Sequence, residues 1–306
     1  MVGKALSAHL LLFLWTVLVA SSFPVAALFD PALSTNFLVS LRFLTAGAIM
    51  LVFMRERGWP GFTAGMIYSI LGLLLAAFFS IMFKALQFIS PLSLAALFVT
   101  QPLFAYLIAI TVGIEKPRLK RLGTLLLAAT AALVIVSRAD FAGLSGFELG
   151  FGESIFLFGC ILSAGYNNLS RYATDHGLIP ANPYRTTCYG LLAGGVLIGL
   201  PDLLLGQLGE FFATVSLGDL SALAYLTLFT TLVTFWILQV ATLRLSPSMV
   251  AAYGYVPPLL VLCAELLFGI TDWKPGYLLA SAMLMVSMLL LARADSRSED
   301  THCKRR

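Results

Sequence analysis

Charge is what this sequence has least of. Only 11% of its 306 residues are Asp, Glu, Lys or Arg, against about 25% in ordinary soluble domains. A soluble chain of this length needs polar residues to cover its surface, so the soluble globular and disordered classes are excluded. Cysteine is also scarce: Cys160, Cys188 and Cys263 fall inside apolar runs and Cys303 lies near the end. Without CxxC spacing or an evenly spaced external set, neither a disulfide framework nor a structural metal site is expected. The three histidines, His9, His176 and His302, lie near or beyond the ends of apolar runs, and HExxH is absent. GxxxxGK[ST] is missing too, which excludes ATP-driven pumping by this chain. Gly143-Leu144-Ser145-Gly146 imitates a serine-hydrolase motif but has no histidine nearby. No enzymatic activity, cofactor or metal is expected. The net charge of +4 resides in loops and tail, so no nucleic-acid partner is expected either.

What the sequence has in abundance is apolar residues, 59% of the chain, in blocks of about 20 separated by short loops that hold most of the charge. That is the pattern of a polytopic helical membrane protein. The blocks predict ten helices over 8–28, 35–54, 65–87, 91–112, 121–137, 151–172, 185–204, 219–242, 247–270 and 276–293. The first block is too long for the apolar region of a signal peptide and is read as a retained helix. Orientation follows from Lys and Arg. With the N-terminus cytoplasmic, fifteen of the nineteen basic residues fall in inner segments, among them Arg55, Arg57, Lys116, Arg171 and Arg244. Arg138 and Lys274 fall outside, and Arg42 and Lys84 lie within spans. Both termini are therefore expected in the cytoplasm. Asn168-Leu169-Ser170 matches a glycosylation acceptor but sits in a helix near the cytoplasmic side.

The chain also repeats itself. Residues 90–114 match 246–270 at a constant offset of 156. Ser90-Pro91 aligns with Ser246-Pro247, Ala95-Ala96 with Ala251-Ala252, Pro102-Leu103 with Pro258-Leu259, and Gly113-Ile114 with Gly269-Ile270. Prolines and a glycine at fixed spacing carry more weight here than Leu or Ala in an apolar background. Five helices per copy force the second copy to enter the membrane upside down, and the charge asymmetry agrees. Inverted repeats are an architecture of secondary transporters, with the substrate site near the midplane between the halves.

With these motifs in view, the chain resembles the drug/metabolite transporter superfamily, in its ten-helix EamA-like group. The resemblance runs through Leu14-Trp15, Leu41-Arg42-Phe43, Lys84-Ala85-Leu86 to Ser90-Pro91, Pro102 and Gly113-Ile114-Glu115-Lys116. It continues in Tyr166-Asn167-Asn168 with Arg171, Ala241-Thr242-Leu243 to Ser246-Pro247, and Pro258. One departure is clear: the family's Gly-x-Glu closes the first copy, whereas the second reads Gly269-Ile270-Thr271-Asp272 and has Glu265 earlier in its helix. The resemblance implies an all-α membrane protein of ten transmembrane helices in two inverted five-helix repeats, both termini cytoplasmic. The divisions are 1–138, a linker at 139–150, 151–295, and a basic tail at 296–306.

Polar residues inside spans are the candidates for function, because ionisable groups at membrane depth are costly. Arg42, Lys84 and Glu265 lie at similar expected depth, which suggests an ion-pair cluster. It would act as an outward gate or substrate anchor, or be structural, with Lys84 snorkelling to the surface. Gln101 and Asn167 are candidate cavity amides, and Ser163, Asn167 and Arg171 share one helical face. Thr227, Thr230, Thr231 and Thr234 form a stripe; bonding to carbonyls one turn back or helix packing is the plainer reading, with Thr231 the cavity candidate. Trp15, Phe79, Trp236, Tyr253 and Tyr255 are candidate walls, or packing aromatics. Pro24, Pro102, Pro257 and Pro258 are candidate kinks that free carbonyls. Gly190, Gly194, Gly195 and Gly199 read as helix packing.

Together these features lead to a secondary transporter that exports a small metabolite, amino acids first, across the plasma membrane (a bacterial inner membrane) by alternating access. A proton is a candidate coupling ion with Glu265 as its carboxylate; a uniporter or exchanger is the alternative. The rivals are a lipid or lipid-linked sugar flippase and a non-transporting membrane receptor or assembly protein. Small-molecule substrate and membrane lipid are the expected partners, and monomer and homodimer are both compatible.

Overall fold

The computed structural model describes residues 2–54, 58, 60–137, 149–206, 208–242, 250 and 252–303. Several sequence features fall outside the described residues: Arg55, Arg57, Arg138, most of the 139–150 linker with its Gly143–Gly146 motif, Arg244, Ser246-Pro247 and Ala251. All regular secondary structure among the described residues is helical. The α-helices are α1 (Val2–Ala26), α2 (Thr35–Phe53), α3 (Phe62–Ala85), α4 (Pro91–Phe98), α5 (Gln101–Thr111), α6 (Leu119–Val136) and α7 (Phe151–Asp175). They continue with α8 (Pro183–Leu204), α9 (Leu208–Thr214), α10 (Leu217–Thr227), α11 (Thr234–Thr242), α12 (Pro257–Leu267) and α13 (Pro275–Cys303). A π-helical turn, Leu228–Val233, joins α10 to α11, and a 3-10 turn, Tyr253–Tyr255, precedes α12.

Eight stretches are long and apolar enough to cross a membrane: those from Ser7, Thr35, Phe62, Pro91, Leu119, Pro183, Leu217 and Pro275. The chain is a multi-pass membrane protein. Two of the ten expected spans fall outside the eight. Helix α7 carries Glu153, Arg171 and Asp175 along its 25 residues, and the Tyr253–Leu267 segment is short. Large apolar side chains face outward, as lipid contact requires: Phe62 is 87% exposed and Leu267 84%.

Local chemistry starts and stops the helices. The Ser34 hydroxyl accepts from the Phe37 amide at α2, Ser90 from Ser93 at α4, and Asn182 from Arg185 at α8. Ser216 and Asp219 form a reciprocal capping box at α10. Each cap satisfies amide donors that the first turn leaves free. Helix α9 occupies a stretch read from sequence as loop, because Phe211 is buried against Phe37 with ring centroids 4.7 Å apart.

The expected proline kinks at Pro102, Pro257 and Pro258 are corrected in form. The fourth span breaks at Val99 and Thr100, and Pro102 sits in the first turn of the new helix α5. Pro257 and Pro258 likewise open α12 after the 3-10 turn. A first turn has no use for those amides, so proline fits there without the cost it carries in a helix interior. Pro24 alone of the four lies inside a helix, in the last turn of α1.

The break recurs in register. Pro257–Leu267 is Gln101–Thr111 shifted by 156, and the glycines that follow, Gly113 and Gly269, have φ of 78° and 66°. The same long backbone bond closes both turns, from the Glu115 amide to the Ala109 carbonyl at 3.0 Å and from Thr271 to Glu265 at 3.4 Å. This is a left-handed helix stop that glycine favours.

Helix α3 packs along α8 as well as along α7. Helix α2 lies along α8, α6 along α13 and α4 along α12, with α1 against the α10–α11 span. Glycines permit the closest approach. A Cβ on Gly72 of α3 would stand 2.5 Å from the Gly194 nitrogen of α8, and one on Gly195 would meet Leu44 at 2.9 Å. Ser40 on α2 donates to the Gly195 carbonyl at 2.8 Å.

Candidate functional site

The most unusual side chain is Arg42, eighth in α2 and 1% exposed. It crosses from α2 to the π-helical turn 189 residues further along the chain. Its Nε donates to the Thr231 Oγ1 at 2.8 Å, and its Nη2 donates to the Thr230 Oγ1 at 3.1 Å and to the Thr230 carbonyl at 3.5 Å. The guanidinium carbon stands 4.5 Å from the centroid of the Phe79 ring. Nη1 is buried and has no hydrogen-bond partner among the described residues.

The threonine stripe builds the receiving surface. Thr227 bonds back to the Leu223 carbonyl at 2.7 Å, Thr230 and Thr231 both to Leu226 at 2.9 and 3.0 Å, and Thr234 to Thr230 at 2.8 Å. Thr231 thus reaches five residues back, the reach that the wide π turn creates. The carbonyl bonding expected of the stripe is present. In addition, the Thr230 and Thr231 hydroxyls accept from Arg42, so each is donor and acceptor at once.

Magnitudes decide whether such a site holds together. A cation at membrane depth costs about 2.5–3.5 kcal/mol on insertion scales. Hydrogen bonds to a charged group return about 1.5–3 kcal/mol each, and a desolvated cation–π contact adds about 2 kcal/mol. The threonines and Phe79 therefore offset the burial of Arg42 without any carboxylate. No ion pair to Arg42 exists among the described residues.

Arg42, Lys84 and Glu265 do not form the expected ion-pair cluster. Lys84 is exposed at the end of α3 and donates to Gln87 Oε1 at 2.7 Å. Glu265 is 7% exposed, and its Oε2 accepts from the Thr271 hydroxyl at 2.7 Å, closing its own turn. Each of the three groups is served by neutral partners.

At the start of α2 its seam with α3 and α8 is polar. Asn36 Oδ1 accepts from Ser80, Thr35 bonds Ser80 at 3.2 Å, and the buried Asp202 accepts from Ser34. The other candidates scatter. Phe79 belongs to the Arg42 site and packs edge-on to Phe43. Trp15 and Gln101 are half-buried and Ser163 is buried. Asn167 lies exposed on α7; the amide that reaches across is its neighbour Asn168, donating to the Ala105 carbonyl of α5 at 3.0 Å. Trp236 is 58% exposed on the bundle surface, so it does not wall an interior site. Tyr253 bonds His9 of α1 at 3.0 Å, and Tyr255 is buried, its hydroxyl without a partner among the described residues.

The π turn and the bonding of Glu115 are two features that the sequence did not reveal. The threonines were the only signal of the π turn. Glu115 accepts from Arg121 at 2.5 Å and from Arg171 at 2.8 Å, tying the end of α5 to α6 and α7. A cavity of about 800 Å³ also lies between α2, α3 and α8, lined by Leu51, Gly65, Tyr68, Tyr189 and Val196 among others. None of the candidate residues lines it.

No protein-family model and no curated protein matches this chain. A solved crystal structure is similar to it in fold, with a TM-score of 0.63 over 96% of this chain and 99% of its own, at 16% identity. Identity that low speaks for a shared fold alone.

Proposed function

We propose that this protein is a secondary transporter that moves a small metabolite outward across the plasma membrane by alternating access. Its ten helices are two inverted five-helix halves, 1–138 and 151–295, with both termini in the cytoplasm, as in the EamA-like drug/metabolite transporters it resembles. The observation that carries this reading is the duplicated helix after a break, α5 and α12, each of eleven residues, each opened by proline, and offset by 156. Discontinuous helices in repeated halves are where secondary transporters build their sites. The paired packing of α2 with α8, α6 with α13 and α4 with α12 supports the same two-fold relation. Arg42 then bridges the halves, reaching from the first to a π turn of the second.

The test is uptake into proteoliposomes of a panel of labelled amino acids and small metabolites, with and without an imposed proton gradient, for the wild type and Glu265→Gln. Saturable uptake supports the reading. A gradient response lost in Glu265→Gln makes that carboxylate the proton site, and indifference to both leaves a facilitator. Flux of labelled lipid in place of every soluble compound would turn the assignment to a flippase.

A further inference from the structure

Arg42 is a cation built into the bundle with no anion beside it among the described residues. The residue is 1% exposed, and its side-chain partners are threonines and a phenylalanine ring. Three of its surfaces are used: Nε by Thr231, Nη2 by Thr230, and one face by Phe79. Those contacts fix the plane of the fork while leaving its charge uncompensated. Nη1 stays buried and unpartnered. A purely structural polar bridge between α2 and the π turn needs no permanent charge, since a neutral amide or hydroxyl would hold two threonines. A permanent charge, held rigid and short of one acceptor, is what recognition of an anion requires: the planar fork of arginine matches a carboxylate in two parallel bonds.

We propose that Arg42 binds the carboxylate of the transported compound, so that the substrate class is small organic acids, amino acids among them through their carboxyl group. The inference rests on the transport reading for its access route, because Nη1 is buried and alternating access must expose it. Nη1 provides the first bond. Nη2 provides the second by releasing Thr230, whose contacts at 3.1 and 3.5 Å are longer than the Nε bond at 2.8 Å. Thr231 keeps Nε and holds the fork in position. The π turn is suited to this exchange, since its wide register is already a departure from the α-helix on either side.

The experiment uses the purified full-length chain in detergent. Thermal unfolding is followed with acetate, succinate, alanine, leucine, aspartate and tryptophan, each paired with its carboxamide, and with sodium chloride alone. At about 100 mM, even a ligand with Kd near about 10 mM raises Tm measurably. At least one acid is expected to stabilise the wild type where its carboxamide does not. Arg42→Lys, which keeps the charge and loses the fork, should weaken that binding by about tenfold or more, a change of about 1.4 kcal/mol. Arg42→Met should abolish it. Should Arg42→Met not fold, Arg42→Lys and Thr231→Val decide the matter, the latter by freeing the fork and weakening the same acid selectively. Equal stabilisation by acid and carboxamide, wild-type binding in Arg42→Lys, a response to chloride alone, or no response to any acid overturns the proposal. Counterflow of the same compounds in proteoliposomes separates this from the transport reading. Acid binding without flux keeps the anion site and removes transport, whereas equal flux of acids and carboxamides keeps transport and removes the anion site.

Discussion

The turns that close α5 and α12 have one backbone and two chemistries. Both end an eleven-residue helix, both pass through a glycine of positive φ, and both return an amide to a carbonyl six residues back. In the first, Glu115 follows the glycine by two positions and points away from its own helix, to Arg121 of α6 and Arg171 of α7. In the second, that position holds Thr271, and a carboxylate stands inside the helix as Glu265, where α5 has Ala109. Thr271 and Glu265 then bond each other, and the turn is sealed on itself. Glycine sets the path of the chain, while the side chains decide whether the turn clamps neighbouring helices or stands alone. A partly exposed ionic clamp at one turn and a buried carboxylate sealed by a hydroxyl at the other give the two turns different sensitivities to salt and substitution.

The largest expected effect is on the sealed turn. Thr271→Val removes the hydroxyl that serves the buried Glu265 carboxylate and should lower stability by about 1–3 kcal/mol, whereas Thr271→Ser should cost little. Thermal unfolding in detergent measures both. Equal stability of Thr271→Val and the wild type would mean that this seal contributes nothing. Next come the glycines. A Cβ on Gly113 or Gly269 meets nothing within 4 Å, so Gly113→Ala and Gly269→Ala should each cost about 1–2 kcal/mol from left-handed backbone strain alone. Equal losses are expected, because the backbone is what the two turns share. A large loss at one glycine with none at the other would break the equivalence.

The reach of sequence reasoning follows the same division between local and distant causes. Helix positions were legible because long apolar runs with Ser, Asn, Pro and Gly at their ends act locally. The offset of 156 was legible because Pro102, Pro258, Gly113 and Gly269 repeat. The prolines pointed to the broken spans, although a single sequence does not distinguish a kink inside one helix from the first turn of a second. The π turn was hidden, since Thr227, Thr230, Thr231 and Thr234 keep α-helical spacing and the extra width arises only in three dimensions. Arg42 stood out as a charge in an apolar run, but its partners lie 188 and 189 residues away. Asn167 and Asn168 show the finest limit: adjacent residues on a helix point about 100° apart, and that phase decided which amide reaches α5. Glu115 was visible as a motif, and its bond to Arg171, 56 residues on, depended on how α5 and α7 pack.

The smallest expected effect tests the clamp itself. Arg121 and Arg171 are 41% and 54% exposed, and the Glu115 side chain 20%, so these pairs work largely in high dielectric and contribute about 0.5–1 kcal/mol together. Glu115→Gln keeps the shape of the turn and removes its charge, and should lose that amount at low salt. At about 1 M NaCl, where the screening length falls to about 3 Å, wild type and Glu115→Gln should converge. The loss in Thr271→Val should be the same at both salt concentrations, because Glu265 is buried and its partner is neutral. A double-mutant cycle of Glu115→Gln with Arg171→Met isolates the contact between α5 and α7 and should give a coupling of a few tenths of a kcal/mol. If the Glu115→Gln loss persists unchanged in high salt, Glu115 acts by packing, the clamp is no electrostatic device, and the two turns differ in residue type without differing in kind.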